Sequence, residues 1–148
     1  MIESIYFDTC SIQRPLDSMA QTRIRLEAEA ILGALEEIES GQIELISSTI
    51  LELETSQTAL AIRREHCEQI LSQASIVVAV DENIAKRAAV FTSHGIKAKD
   101  ALHLAAAESA DADYFCTCDD RFLRRAKQIR DLKTNAVSPL ELIGELGI

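Results

Sequence analysis

Apolar residues follow two rhythms along this chain: short unbroken runs alternate with longer stretches of helical spacing. The runs Ile2 to Phe7, Ile43 to Ser47, Ile76 to Val80, Tyr114 to Thr117 and Thr134 to Val137 predict strands, the last a short edge strand. Between the first two, Ile24, Ala28, Ile31, Leu32, Leu35 and Ile38 recur on one face of a helix near residues 21 to 40, with Gly41 as its stop. Ser48 or Thr49 can cap a helix carrying Glu52 and Glu54, and residues 59 to 73 continue helical. Asp81 suits the cap of a helix over 82 to 94, stopped at Gly95. Further helices are predicted over 99 to 110 and 121 to 129, and Ser138-Pro139 opens a last one. Strands that alternate with helices predict an α/β fold, a three-layer α/β/α sandwich on a central parallel sheet of about five strands. With no linker or repeat, residues 1–148 are expected to form one domain.

This arrangement gives meaning to the acidic residues. Asp8 ends the first run and Asp119 follows the fourth. Asp100 opens an otherwise apolar helix face, and Glu52 or Glu54 follows the second run. The carboxyl ends of parallel strands share one rim, where open α/β sheets keep their ligands. Several carboxylates gathered there raise one another's pKa unless a cation compensates, so a Mg²⁺ or Mn²⁺ site is expected. Each residue also has a plainer reading. Asp8 and Asp120 could be helix caps, and Asp100 could serve the helix dipole. His103 reads as a packed or surface histidine, since no second His has ligand spacing. Glu52 and Glu54 stand about 200° apart around a helix, so only one can face the rim, and position alone does not choose.

Composition narrows the partners. With 24 acidic against 15 basic residues, the chain carries a net charge of −9, which opposes broad electrostatic affinity for nucleic acid. Basic residues nevertheless cluster at Arg63-Arg64 and at Arg121, Arg124, Arg125 and Lys127. They read as solvated helix faces or, beside a metal site, as contacts to a phosphate backbone. No stretch approaches the ~20 apolar residues of a membrane span. The first strand begins at once, without a signal peptide, so a cytoplasmic location is expected. Cys10, Cys67, Cys116 and Cys118 read as free thiols of a reducing compartment. Cys10 and Cys118 flank rim aspartates, so oxidation there would impair the site if their strands are neighbours.

Four blocks together resemble the PIN domain, the metal-dependent nuclease family that includes the VapC-type toxin ribonucleases. They are Tyr-Phe-Asp-Thr at 6–9, Ser-Ser-Thr-Ile-Leu-Glu-Leu-Glu at 47–54, Gly-Ile-Lys-Ala-Lys-Asp-Ala-Leu-His-Leu-Ala at 95–105 and Tyr-Phe-Cys-Thr-Cys-Asp-Asp-Arg-Phe at 114–122. The resemblance runs from Ile2 to about Glu141. It implies catalytic and metal-ligating roles for Asp8, Asp100 and Asp119. The glutamate is Glu54 when counted from Ser48 and Glu52 when matched from Thr49, and Glu54 is preferred. Thr9 and Thr117 match residues that position water or substrate. The implied activity is Mg²⁺- or Mn²⁺-dependent endonucleolytic cleavage of single-stranded RNA, by a toxin restrained by an antitoxin protein. A homodimer is implied as well. The acidic overall charge departs from what such a role suggests.

Two other enzyme classes end a first strand in Asp. A haloacid-dehalogenase-type phosphatase needs a second Asp at position 10, which is Cys. A phospho-accepting receiver domain needs paired acids where Tyr6 and Phe7 stand. A catalytically silent PIN-like module that binds RNA or protein is the non-enzyme alternative. Four acids in register argue against it.

Overall fold

A computed structural model of the chain describes residues 2–148. The strands are β1 (Glu3–Phe7), β2 (Ile43–Ser48), β3 (Ile76–Val78), β4 (Tyr114–Cys116) and β5 (Asn135–Val137). All pair in parallel, in the order β3-β2-β1-β4-β5. The helices are α1 (Thr9–Gln13), α2 (Thr22–Glu39), α3 (Thr49–Ser56), α4 (Ala61–Leu71), α5 (Glu82–Thr92), α6 (Ala98–Ser109), α7 (Asp120–Lys127) and α8 (Pro139–Leu146). This is the α/β sandwich that the alternating rhythm predicts. α2 packs on β2 and α8, and α6 packs on α5, β2 and β3. The right-handed crossovers usual for parallel strands would put α2 and the α5–α6 pair on opposite faces of the sheet.

β1 lies in the middle, and Ile5, Tyr6 and Phe7 are fully buried because both faces of a parallel sheet are covered. The chain builds outward from β1 through β2 to β3, then crosses to β4 and β5 on the other side. The strand order therefore reverses between β1 and β4, and their carboxyl ends open a crevice there. β3 is an edge strand that leaves Ile76 and Val77 about half exposed, so its strong β propensity reflects backbone pairing more than burial.

Several predicted punctuation marks operate as expected. Ser48 caps α3 by accepting from the Leu51 N–H, and Asp81 caps α5 through Ile84. Gly41 takes a left-handed φ of 81° just past α2. Ser138 and Glu141 form a reciprocal capping box at α8. Two features differ from what the sequence predicts. α1 leaves no signal in the sequence, because five residues are too few for any periodicity to show. The cap of α7 is Asp119, not Asp120, which sits in the first turn and pairs with Arg23 at 2.6 Å.

An aromatic chain ties the sheet to α7. The Tyr6 ring stacks on Phe115 with centroids 5.5 Å apart, and Phe115 meets Phe122 edge-on at 5.4 Å. Phe115 is wholly buried. Phe115→Ala is expected to lower stability by about 3–5 kcal/mol. Urea unfolding should show this as a lower midpoint at unchanged slope; a loss under ~1 kcal/mol would contradict the packing described.

Candidate active site

Asp8 continues β1 by one residue, its N–H still bonded to the Cys116 carbonyl of β4 at 3.2 Å. The chain then turns into α1, and Asp8 Oδ1 accepts from the Ser11 N–H and the Cys10 thiol, both at 3.1 Å. Asp119 repeats the device beyond β4: its Oδ1 accepts from the Arg121 and Phe122 N–H groups at 3.0 Å. Both aspartates are thus helix caps as well as rim acids. In each, capping occupies Oδ1.

Asp8, Asp100 and Asp119 line one cavity of about 220 Å³, together with Thr9, Cys10, Glu54 and His103. Glu54 reaches it from the second turn of α3, whereas Glu52 is exposed and lines a separate groove with Glu68. Glu54 Oε1 accepts from Thr9 Oγ1 at 2.9 Å and meets His103 Nε2 at 2.5 Å. His103 Nδ1 lies 2.6 Å from the Tyr6 hydroxyl, which lies 2.6 Å from Ser48 Oγ. The bonds can all be made at once: Ser48 donates to Tyr6, Tyr6 to Nδ1, and Nε2–H to Glu54. A single polar chain therefore runs from the β2 end through the buried core to the site carboxylate.

Thr117 is not in the lining but stands directly behind it: it is buried, and its hydroxyl accepts from the Asp119 N–H at 3.1 Å and lies 3.8 Å from Cys10 Sγ. The hydroxyl fixes the turn that presents Asp119. His103 is packed, as its sequence position suggests, and only 2% exposed, yet it also forms part of the cavity wall. Its bond to Glu54 goes beyond the sequence reading. The available signals are its i+3 spacing from Asp100, one helical turn along the same face, and a buried tyrosine hydroxyl in need of a partner. All four cysteines are free. β1 and β4 are neighbours, with Cys10 exposed beside Asp8 and Cys118 buried.

Burial, reinforced by Asp8 and Asp119, pushes the Asp100 carboxyl up to about 6. Burial also pushes Glu54 upward, but the hydrogen bond and charge of His103, the bond from Thr9 and the nearby Lys99 cation outweigh it, leaving Glu54 below its ordinary value. The cavity thus contains one carboxyl that gives up its proton reluctantly and one held readily ionised.

Among the described residues, no three His, Cys, Asp or Glu side chains converge closely enough to hold a metal ion as they stand. Like charges keep apart, and two of the carboxylates are tied to helix N–H groups. The donor set is nevertheless all hard oxygen, the kind that suits Mg²⁺ or Mn²⁺. The raised affinity of Asp100 for a proton marks where positive charge is wanted. By chemistry the residues fit such a cation, and they would have to draw together on it.

The comparisons with known proteins agree on the scaffold. The family model for the PIN domain matches residues 5–128. The crystal structure of FitAcB from Neisseria gonorrhoeae is 21% identical, covering 92% of this chain and 98% of its own, with a TM-score of 0.57. VapBC2 from Rickettsia felis, bound to a DNA fragment from its promoter, is 13% identical over 91% of this chain and 98% of its own, at 0.60. PAE2754 from Pyrobaculum aerophilum is 13% identical over 99% of this chain and 98% of its own, at 0.56. No curated protein matches the sequence.

An unfolded Asp100 titrates near 3.8 and the folded one near 6, so the folded chain binds this proton more tightly. Its contribution to stability therefore falls as pH rises across that interval. Removing the charge should remove the loss. In EDTA, Asp100→Asn is expected to gain about 1 kcal/mol on the wild type between pH 4.5 and 7.5, a value discounted for the half-exposed position. Urea melts at the two pH values measure it. A gap that stays constant or shrinks would show that Asp100 is not strained by its neighbours.

Proposed function

This chain belongs to the PIN domain family, and we propose that it is a divalent-metal-dependent endoribonuclease that hydrolyses phosphodiester bonds of single-stranded RNA. The observation carrying this reading is that Asp8, Glu54, Asp100 and Asp119, from four separate segments, line one cavity at the carboxyl ends of the strands. Residues 1–148 would act as one domain, in the cytoplasm. Among the described residues, no helix is long and apolar enough to cross a membrane.

Asp8, Asp100 and Asp119 would hold the Mg²⁺ or Mn²⁺, with Glu54 at its edge. A bound divalent cation supplies charge neutralisation and polarises the phosphate. With Glu54 Oε1 taken by Thr9 and His103, Oε2 is left to orient the attacking water and accept its proton. His103 and Tyr6 are positioning residues that hold the Glu54 carboxylate at a fixed angle. Thr117 acts one step back, by fixing the Asp119 turn. The role of a toxin restrained by an antitoxin follows from the resemblance to VapC-type ribonucleases. An antitoxin that inserts a basic side chain among these carboxylates would silence the site by replacing the metal's charge. A homodimer belongs to the same reading. The separation of the carboxylates favours one alternative, a silent module that binds RNA or protein.

Purified protein incubated with a mixed single-stranded RNA pool and Mn²⁺ should cleave it, and EDTA or Asp100→Asn should abolish cleavage. Glu54→Gln is expected to slow it by about 10²–10⁴-fold. Cleavage that persists in both EDTA and Asp100→Asn would refute the proposal. Silence in every lane, with metal bound by calorimetry, would favour the non-catalytic module.

A further inference from the structure

Asp100 and Asp119 also border a second cavity, of about 180 Å³, whose remaining polar side chains are all cationic: Lys97, Arg121 and Arg125. Lys97 precedes the first turn of α6 and the two arginines lie on α7, so the cations come from the same two elements as the aspartates. Among the described residues, none of the three has a carboxylate within ion-pair distance, although acids outnumber bases in the chain. Arg25, Arg124, Arg130, Lys86, Lys99 and Lys133 are unpaired among these residues as well, so it is the shared cavity beside the acids that sets these three apart.

Arg125 is also held in place. Its Nη1 donates to the Gly95 carbonyl, and its guanidinium lies across the bare Cα of that glycine. A Cβ at Gly95 would stand 2.5 Å from Nη1, and the glycine's φ of 85° disfavours any side chain there. Gly95 therefore serves both the turn before α6 and the seat of Arg125. Phe122 supplies an apolar wall.

We propose that Lys97, Arg121 and Arg125 form a subsite for a backbone phosphodiester of single-stranded RNA, next to the one positioned over the carboxylates. This rests on the nuclease reading for its substrate. A polyanion suits the juxtaposition because its successive phosphates can meet a metal-neutralised cluster in one cavity and bare cations in the adjoining one. Guanidinium forks bind phosphate oxygens in pairs. The subsite also lets a chain of net charge −9 engage nucleic acid, since the basic wall is local.

The test is fluorescence anisotropy of a labelled 12-nucleotide single-stranded RNA in Mg²⁺ over a range of salt, using Glu54→Gln protein, which keeps every residue of this cavity. Arg121→Gln, a change at an exposed side chain that the fold does not need, should weaken binding about tenfold. The Arg121→Gln/Arg125→Gln pair should weaken it further. The slope of log affinity against log salt should drop by about 0.7 for each phosphate that the variant no longer neutralises. Lys86→Gln/Arg130→Gln makes the same charge change outside the cavity and should leave both quantities unchanged. Equal weakening by the two pairs would reduce the effect to net charge and overturn the subsite. So would unchanged binding in the arginine pair, or no RNA binding by any variant. Displacement of RNA by a glutamate oligomer at lower concentration than by unlabelled RNA would reassign the wall to an acidic protein. The nuclease reading fails separately: the expected binding pattern, with wild-type protein that leaves the RNA uncut in Mn²⁺, removes the nuclease and keeps the subsite.

Discussion

The parallel pairing of β1 between β2 and β4 is the constraint on which the rest of this molecule depends. Parallel strands end on one edge, and the reversal of strand order beside β1 opens a crevice there. Because β1 is buried on both faces, its register cannot slip without turning Tyr6 or Phe7 away from the partners it packs against. The register in turn places Asp8 just beyond the sheet, level with the turn after Cys116 that presents Asp119. Helix caps then fix Asp8 and Asp119, so both carboxylates are held on this rim by backbone hydrogen bonds in spite of their mutual repulsion.

That repulsion is the second organising force. It shows in Asp100, whose carboxyl is pushed up to about 6 by burial first and then by Asp8 and Asp119. Glu54 is handled differently. It is set into a line of hydrogen bonds that begins at Ser48 and crosses the core through Tyr6 and His103. A buried polar chain of this kind is favourable only when every member has a partner, and here each hydroxyl and ring nitrogen does. The same line makes Glu54 sensitive to core positions several residues from the cavity.

Much of this is legible in the sequence. The strands announce themselves as apolar runs, the first and fourth leading to rim aspartates, and Ser48, Asp81 and Ser138 mark helix starts by residue type. Asp8, Asp100 and Asp119 can be placed on one rim without coordinates, because strand order and helix start suffice for that. α1 cannot be read, since five residues leave no periodic trace. The motif around Thr117 implies a residue facing substrate or water; its hydroxyl is buried behind the cavity wall, bonded to the Asp119 backbone and 3.8 Å from Cys10 Sγ. Sequence position there does not distinguish a group that touches a ligand from one that supports a turn.

The amino-acid sequence by itself determined the order of elements, the rim on which the acids gather and a charge balance that disfavours diffuse nucleic-acid binding. Those properties follow from local periodicity, capping and composition, which depend on near neighbours in the chain. The tertiary structure alone decided that Glu54 rather than Glu52 enters the cavity and that His103 is its partner across 49 residues. It alone pushed the Asp100 carboxyl up to about 6 and brought Lys97, Arg121 and Arg125 to one wall beside the acids. Side-chain direction, burial and the field of neighbouring charges depend on distances through space, and only the packed fold sets those distances.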